Sequence, residues 1–475
     1  MRSSGLSTVP PQDTYSYLTG PRLDPYRNYT QRFSWSTQKR RTPQGTFIST
    51  QRPRTMDNQQ NQPPLGPSAP LGELLLAATA IRIELPPSQH KLAVERYEAI
   101  RKHIERPGSP LQDKVRVFYP QGSMAIRATI LSRKRADGFD IDIVAELILP
   151  PSTAPGAVLD LLFAAINGAP GSRYYGMVER QTRCVTVYFS DGMHLDITPT
   201  LLLAELDPRL SHLFHAKKEE PASKHLRLRM NSYAFCEWVN GMTPIDLSFE
   251  EAYGRRALAF DARAKRADAD VKPVPAHSTE EGGKSAKIVA LQLLKRNRNL
   301  RYEKRSGRLP PSVMMAKLTA ETTTPGTNIA WALDAISLKL LEALEDAERS
   351  DVLIDVRNPR CEDEKFTDRW PEDHSAQRLY ISDLKLFRTQ LAALMSTKLS
   401  LPQKRDLLVE MFGVGPAQSA IDEYVESLGG AVESGKRFVG PTGRVIPAAA
   451  AATSASPALA RPRGHTFFGT RWPRK

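Results

Sequence analysis

A chain of 475 residues, 40% of them hydrophobic, is long enough for two or three domains with sizeable cores. No apolar run approaches the ~18 residues of a membrane span, and the start, MRSSGLSTVPPQ, lacks the apolar region of a secretory signal. Cys184, Cys236 and Cys361 lie far apart, which excludes a disulfide framework and a zinc spacing and leads us to expect a reduced cytoplasm.

The net charge of +14 sits at the ends. Nine basic and two acidic residues give +7 over 1–55, eight basic and no acidic residues give +8 over 436–475, and the body between carries −1. A nearly neutral body does not advertise the basic groove that a nucleic-acid polymer needs.

Residues 1–70 are rich in Pro, Gln, Ser, Thr and Arg without an apolar period and are expected to be disordered. Met56 offers an alternative start, which would make the upstream residues an over-extended reading frame; the rival reading is a basic arm that touches nucleic acid or a partner. Structure is expected from Gly72, with a short helix to about Ile83. Ser88 is a candidate N-cap for a longer helix to about Glu105, whose Ala93, Tyr97, Ile100 and Ile104 share one face. Val115–Tyr119 reads as the first strand, and Gln121-Gly122-Ser123 as the turn that follows. Glycine there lets backbone N–H groups approach phosphate oxygens, and the serine hydroxyl adds a donor.

The run FDIDIV predicts a strand in which Ile141 and Ile143 face a core while Asp140 and Asp142 project together on the other side. Two carboxylates so close repel unless a cation neutralises them, and oxygen ligands on one face suit Mg²⁺. The simpler reading of a bare D-x-D is an edge strand with solvated aspartates. A helix-like segment, GAVLDLLFAAIN, comes next. Arg183–Ser190 and Met193–Thr198 then predict a hairpin turning at Asp191-Gly192, with Asp196 facing the same way as His194. The Gly-Ser turn, D-x-D strand and later single Asp resemble the signature of the nucleotidyltransferase superfamily, in which three carboxylates hold two metals for in-line displacement at an α-phosphate.

Farther on, 209–223 reads as a loop, Asn231–Trp238 as the opening of a helix, and 250–280 as a solvated linker. His212 and His215 lack a further ligand nearby and read as ordinary histidines. From Lys284 the chain turns helical, and Lys284, Lys287, Lys295 and Arg298 form a basic stripe beside Ile288, Leu291 and Leu294, which on pattern alone is a solvated face. Gly283-Lys284-Ser285 is not a P-loop, because Ser278 occupies the required earlier glycine position and no strand precedes it. Helices are predicted at Trp331–Glu348, Ala376–Met395, Pro402–Phe412 and Pro416–Leu428. Residues 430–463, rich in Ala, Pro and Gly, end the domain, and the aromatic end His465–Trp472 is a candidate for docking back on the body.

Four segments together, RYEAI leading to YPQGSMAI, FDIDIV with HLDITPT, LQLLKRNRN with PPSVMMAKL, and NPRCEDEKFTDRWPED, resemble the bacterial cGAS/DncV-like nucleotidyltransferases, the CD-NTases, over roughly residues 72–430. The resemblance implies an α+β fold: a polymerase-β-like core with a mixed sheet over 71–230, a mainly helical lobe over 231–430 that forms a two-lobed cleft, and tails over 1–70 and 431–475. It implies a cytoplasmic, monomeric enzyme that joins nucleoside triphosphates, ATP among them, into a cyclic di- or oligonucleotide signal in anti-phage (CBASS) defence. Regulatory or effector proteins of that system are the implied partners; neither membrane nor nucleic acid is required. Carried over by position, Gly122 and Ser123 would hold the donor triphosphate, Asp140 and Asp142 would bind two Mg²⁺ ions, or Mn²⁺ in their place, and Asp196 would bind the metal that activates the acceptor hydroxyl. Lys295 would face the triphosphate, and Ser312 would contact phosphate or base. Arg127 stands where relatives often carry a small residue, placed either to pair with phosphate or to point to solvent. The competing functions are linear RNA or tRNA nucleotidyl addition and a catalytically inactive nucleic-acid-binding sensor.

Overall fold

The computed structural model describes residues 65, 69–131, 139–203, 209–267, 283–324, 328–433, 437–439 and 445–447. The elements run α1 (Leu71–Ile83), α2 (Pro87–Ile104), β1 (Val115–Pro120), α3 (Gly122–Ala125), β2 (Phe139–Leu147), α4 (Pro155–Asn167), β3 (Val178–Arg180), β4 (Val185–Tyr188), β5 (Met193–Leu202), β6 (Ser211–His215) and β7 (Leu226–Met230). They continue with α5 (Ser232–Met242), α6 (Leu247–Ala267), α7 (Ala286–Tyr302), α8 (Ser312–Glu321), α9 (Ile329–Arg349), β8 (Arg357–Asn358), β9 (Cys361–Lys365), α10 (His374–Met395), α11 (Leu401–Phe412), α12 (Val414–Glu433), β10 (Arg437–Val439) and β11 (Val445–Pro447). Among the described residues no helix is long and apolar enough to cross a membrane.

A mixed seven-stranded sheet has the order β1-β2-β5-β4-β3, with β6 joining β5 beyond β4 and β7 outside β6. The β2–β5 pair is parallel and the other pairs are antiparallel. The alternation of β2 follows the pleat: Ile141 and Ile143 are fully buried while Asp140 is exposed on the opposite face. Ala93, Ile100 and Ile104 of α2 and the apolar side of α4 close this sheet core.

A second core gathers α1 and α5–α12. α1 packs on α12, so the sheet-bearing part of the body begins at α2 rather than at residue 71. Ile126, Ala128 and Ile130, just after the Gly-Ser turn, also enter this helical core and not the sheet core. α1 is fastened by Glu73, whose carboxylate accepts the backbone N–H groups of Ile329 (2.6 Å) and Ala330 (2.9 Å) at the start of α9. Burial pushes the Glu73 pKa up to about 7, against the lowering effect of those two N–H groups.

Several expectations are corrected. Ser88 is not an N-cap: α2 starts at Pro87, and Pro86 occupies the cap without a side-chain bond. Residues 250–267 are not linker, because α6 buries Phe249, Ala252, Tyr253 and Ala257; Arg and Asp on its other faces disguised a helix with a narrow apolar seam. The expected loop at 209–223 contains β6, held by β5 on one side and β7 on the other. Gly122 and Ser123 open a single helical turn, α3. Leu65, within the expected disordered segment, is buried in the helical core, and short strands β10 and β11 lie in the tail after 430. The upstream arm, Met56 and the aromatic end at 465–472 lie outside the described residues.

Candidate active site

β1 delivers the Gly-Ser turn to the sheet edge beside β2. Gln121 N–H donates to the Asp142 carbonyl at 2.8 Å, and the Gln121 side-chain amide donates to Thr198 Oγ1 at 3.3 Å. Gly122 has φ +58°, and a Cβ built there would lie 2.6 Å from Asp142 Oδ2. Glycine is therefore needed twice, for the left-handed backbone and for the approach of the carboxylate.

Strand register sets the carboxylates. Asp142 of β2 stands beside Asp196 of β5, and Asp140 beside His194, whose Nδ1 is 3.5 Å from Asp140 Oδ1. Thr186 Oγ1 donates to Asp196 Oδ1 at 2.5 Å from β4. Loss of solvation, and then the Asp196 and Asp140 charges, push the Asp142 pKa up to about 7, while Lys295 pulls it down. The Asp140 carboxyl is raised by desolvation and by Asp196, with His194 opposing. Carboxylates that resist ionisation together form a site whose charge is completed by a cation. The donor set is all hard oxygen and so fits Mg²⁺ or Mn²⁺. Among the described residues, however, no three ligating side chains already converge on one point. Asp142 and Asp196 nevertheless stand side by side in the register of β2 and β5.

The opposite wall comes from the helical lobe. α7 is buried almost all round, because its polar run satisfies carbonyls of neighbouring elements: Arg296 Nε and Asn297 Nδ2 donate to Phe412 and Met411 at the end of α11, at 3.0 and 2.8 Å. The basic stripe is therefore no solvated face, and it is divided. Lys284 pairs with Glu84 at 2.9 Å and Lys287 reaches the Met242 carbonyl at 3.1 Å, whereas Lys295 and Arg298 are each 6% exposed and line the cleft. Lys295 Nζ donates to the Ala128 carbonyl at 2.7 Å. Burial, and then Arg298, bring its pKa down to about 7, against the pull of Asp142 and Asp140. Arg298 Nη1 donates to Ser312 Oγ at 2.9 Å, fixing that hydroxyl at the start of α8.

These walls enclose a cavity of ≈ 620 Å³. Gly122, Ser123, Asp140, Asp142, Lys295 and Ser312 all line it; Asp196 does not, although it adjoins Asp142. The segment around β9, quoted in the sequence without a role, contributes Asp363, Glu364, Lys365, Phe366 and Asp368, and Arg183 faces it from the sheet side, paired with Asp368. Thr129 and Thr186 also escaped sequence reading, since a hydroxyl that contacts a site residue across strands or loops leaves no periodic mark. Arg127 takes neither expected course: its guanidinium donates to the Gly283 carbonyl at 2.9 Å, and its φ is +59°. His215 Nδ1 faces two guanidinium groups, Arg183 at 3.0 Å and Arg369 at 3.4 Å, surroundings that disfavour a metal ion.

No protein-family profile matches the chain. Among characterised proteins, a cyclic dinucleotide synthase of Bradyrhizobium diazoefficiens, CdnG, is 41% identical over 404 residues, 84% of this chain and 95% of its own length. The chain belongs to the CD-NTase family. The solved structure of that CdnG in complex with GTP superimposes with a TM-score of 0.64 at 38% identity, covering 75% of this chain and 99% of the other. A more distant relative, a c-di-GMP synthase of Roseivirga ehrenbergii, is 21% identical over 354 residues, 74% of this chain and 87% of its own. The expected fold class therefore stands: an α+β CD-NTase with a mixed-sheet nucleotidyltransferase core and a helical lobe, as described above. In this CD-NTase the sheet supplies the carboxylates and the helical lobe supplies the buried cations.

Proposed function

We propose that this CD-NTase is a cyclic dinucleotide synthase that joins nucleoside triphosphates, GTP and ATP among them, by metal-dependent nucleotidyl transfer. The observation that carries the reading is the meeting, at one cavity, of the Gly-Ser turn and the β2 carboxylates with buried Lys295 on the facing wall, in a chain 41% identical to a cyclic dinucleotide synthase. Gly122 and Ser123 offer backbone and hydroxyl donors to the donor triphosphate. Lys295 offers a positive charge to phosphate oxygens, and Ser312, held by Arg298, offers a hydroxyl to phosphate or base. Asp140, Asp142 and Asp196 would hold Mg²⁺, or Mn²⁺ in its place. The metal, two ions in the family pattern, supplies Lewis-acid stabilisation of the attacking and leaving oxygens. Excluding bulk water strengthens each of these contacts at the α-phosphate.

The reading extends to a cytoplasmic, monomeric enzyme whose product signals in anti-phage (CBASS) defence, with regulatory or effector proteins of that system as partners. Incubating the protein with labelled GTP and ATP and Mg²⁺, with and without RNA, tests the chemistry. A product that resists phosphatase because it has no terminal phosphate supports the cyclase. Extension of added RNA would assign linear nucleotidyl addition instead, and the absence of any product would sink the enzymatic reading.

A further inference from the structure

The residues after the Gly-Ser turn are bound to the helical lobe by a set of buried hydrogen bonds. Gln292, fully buried on α7, donates through Nε2 to the Thr129 carbonyl at 2.9 Å, and Lys295 donates to the neighbouring Ala128 carbonyl at 2.7 Å. Ala128 N–H returns to the Ser123 carbonyl at 2.8 Å. Leu131 N–H donates to the Ile83 carbonyl at 2.8 Å, and Ile130 bridges to Glu84. Thr129 is thus held by its backbone on both sides, and its hydroxyl sits 3.3 Å from Ser123 Oγ. Both residues line the cavity, and Thr129 is 9% exposed.

A serine hydroxyl has one proton and two lone pairs. If Thr129 Oγ1 donates to Ser123 Oγ, one lone pair is occupied and the Ser123 proton is left to point into the cavity, the orientation a phosphate oxygen requires. The 3.3 Å separation is longer than the optimum for O–H···O, and contacts of this kind tighten once a ligand is seated. We infer that Thr129 is a positioning residue that orients the Ser123 hydroxyl as a donor to the triphosphate, with Gln292 fixing the Thr129 backbone. The inference rests on the reading of Ser123 as a phosphate contact. It assigns Thr129 no contact with the reacting atoms.

The test is calorimetric binding of GTP in the presence of Mg²⁺ to the full chain and to Thr129→Val, Thr129→Ser, Ser123→Ala and the Ser123→Ala/Thr129→Val pair. Valine keeps the shape of threonine and removes only the hydroxyl, so GTP affinity is expected to fall about three- to tenfold, the scale of one hydrogen bond. Thr129→Ser should restore it. Ser123→Ala should weaken GTP at least as much, and the pair should be no weaker than Ser123→Ala alone, because the threonine acts only through the serine. Normal affinity in Thr129→Val beside weak Ser123→Ala overturns the orienting role and leaves the phosphate reading intact. Fully additive losses, or failure of serine to rescue, also overturn it. Unchanged affinity in Ser123→Ala removes the phosphate reading itself. Thr129→Ala takes the place of valine if a methyl in the hydroxyl's position unfolds the protein.

Discussion

The backbone of Gly122 and the carboxylate of Asp142 occupy neighbouring space with no room for a methyl group between them: a Cβ on Gly122 would stand 2.6 Å from Asp142 Oδ2. The Gly-Ser turn and the Asp142 carboxylate are thus packed as one unit. Gly122→Ala is expected to displace Asp142 and to strain a backbone at φ +58°, with a left-handed cost of about 1–2 kcal/mol. A shift of 1 Å at such a site lowers turnover by about a hundredfold. Product formation from GTP and ATP, with a thermal melt to record the smaller stability loss, checks this; near-normal turnover would show that the turn and the carboxylate are not coupled.

Lys295 and Lys287 lie on one helix in different settings, one facing the cavity and the other bonded to the Met242 carbonyl. Loss of a charge-assisted phosphate contact costs roughly 1.5–3 kcal/mol, so Lys295→Ala is expected to lower turnover by about ten- to a hundredfold or somewhat more. Lys287→Ala should change it far less. Lys295→Ala also leaves the Ala128 carbonyl without its 2.7 Å donor, so its melting point is expected to fall too. Equal small effects on turnover would remove Lys295 from the site.

Much of the sheet-side site was legible in the sequence because a strand writes its orientation every second residue: Ile141 and Ile143 inward place Asp140 and Asp142 outward without further information. The facing wall was not legible in the same way. Lys295 and Arg298 sit in a charged run whose local pattern belongs to a surface helix, and only the carbonyls at the end of α11 and around Ala128 and Pro310 explain its burial. Resemblance to a family, not periodicity, brought Lys295 and Ser312 into consideration. α6 was missed for the converse reason: Phe249, Ala252, Tyr253 and Ala257 make too narrow an apolar stripe to stand out among Arg and Asp.

The raised pKa of Asp142 would give the proposed metal binding a pH dependence. With its carboxyl pushed up to about 7, Asp142 is partly protonated in the metal-free protein near neutrality, and a bound cation must displace that proton. Mg²⁺ affinity is expected to rise from pH 6 to pH 8, with protons released on binding. Calorimetry in two buffers of different ionisation enthalpy measures that release. Affinity that stays flat across this range, with no proton release, would show that Asp142 is already ionised in the metal-free protein.

Glu73 carries a separate pH signature in stability. Its folded pKa of about 7 exceeds the ordinary value of 4.5, so the folded protein holds a proton that the unfolded chain has released between those values. Stability present in full below about pH 4.5 is lost as pH rises toward 7, by up to about 3 kcal/mol at 1.36 kcal/mol per unit. Glu73→Gln removes the titrating group but keeps only one of the two oxygens that accept from Ile329 and Ala330 N–H, so it gives up one of those hydrogen bonds. Urea unfolding should show the variant less sensitive to pH between 5 and 8 than the parent; an identical slope would show that Glu73 is ionised throughout.

Among the described residues the chain passes between the sheet core and the helical core four times: from α1 to α2, from Met124 to Ile126, between Ile130 and Phe139, and from β7 to α5. Two bodies joined by one peptide can swing widely, whereas several covalent joints restrict their relative motion. The Gly-Ser turn lies at one of these joints, so any rocking of the helices would carry Ser123 relative to Asp140 and Asp142. Nucleotide exchange and product escape are therefore expected to rely on side-chain and local loop movements more than on rocking of the two cores, which hydrogen exchange with and without GTP checks.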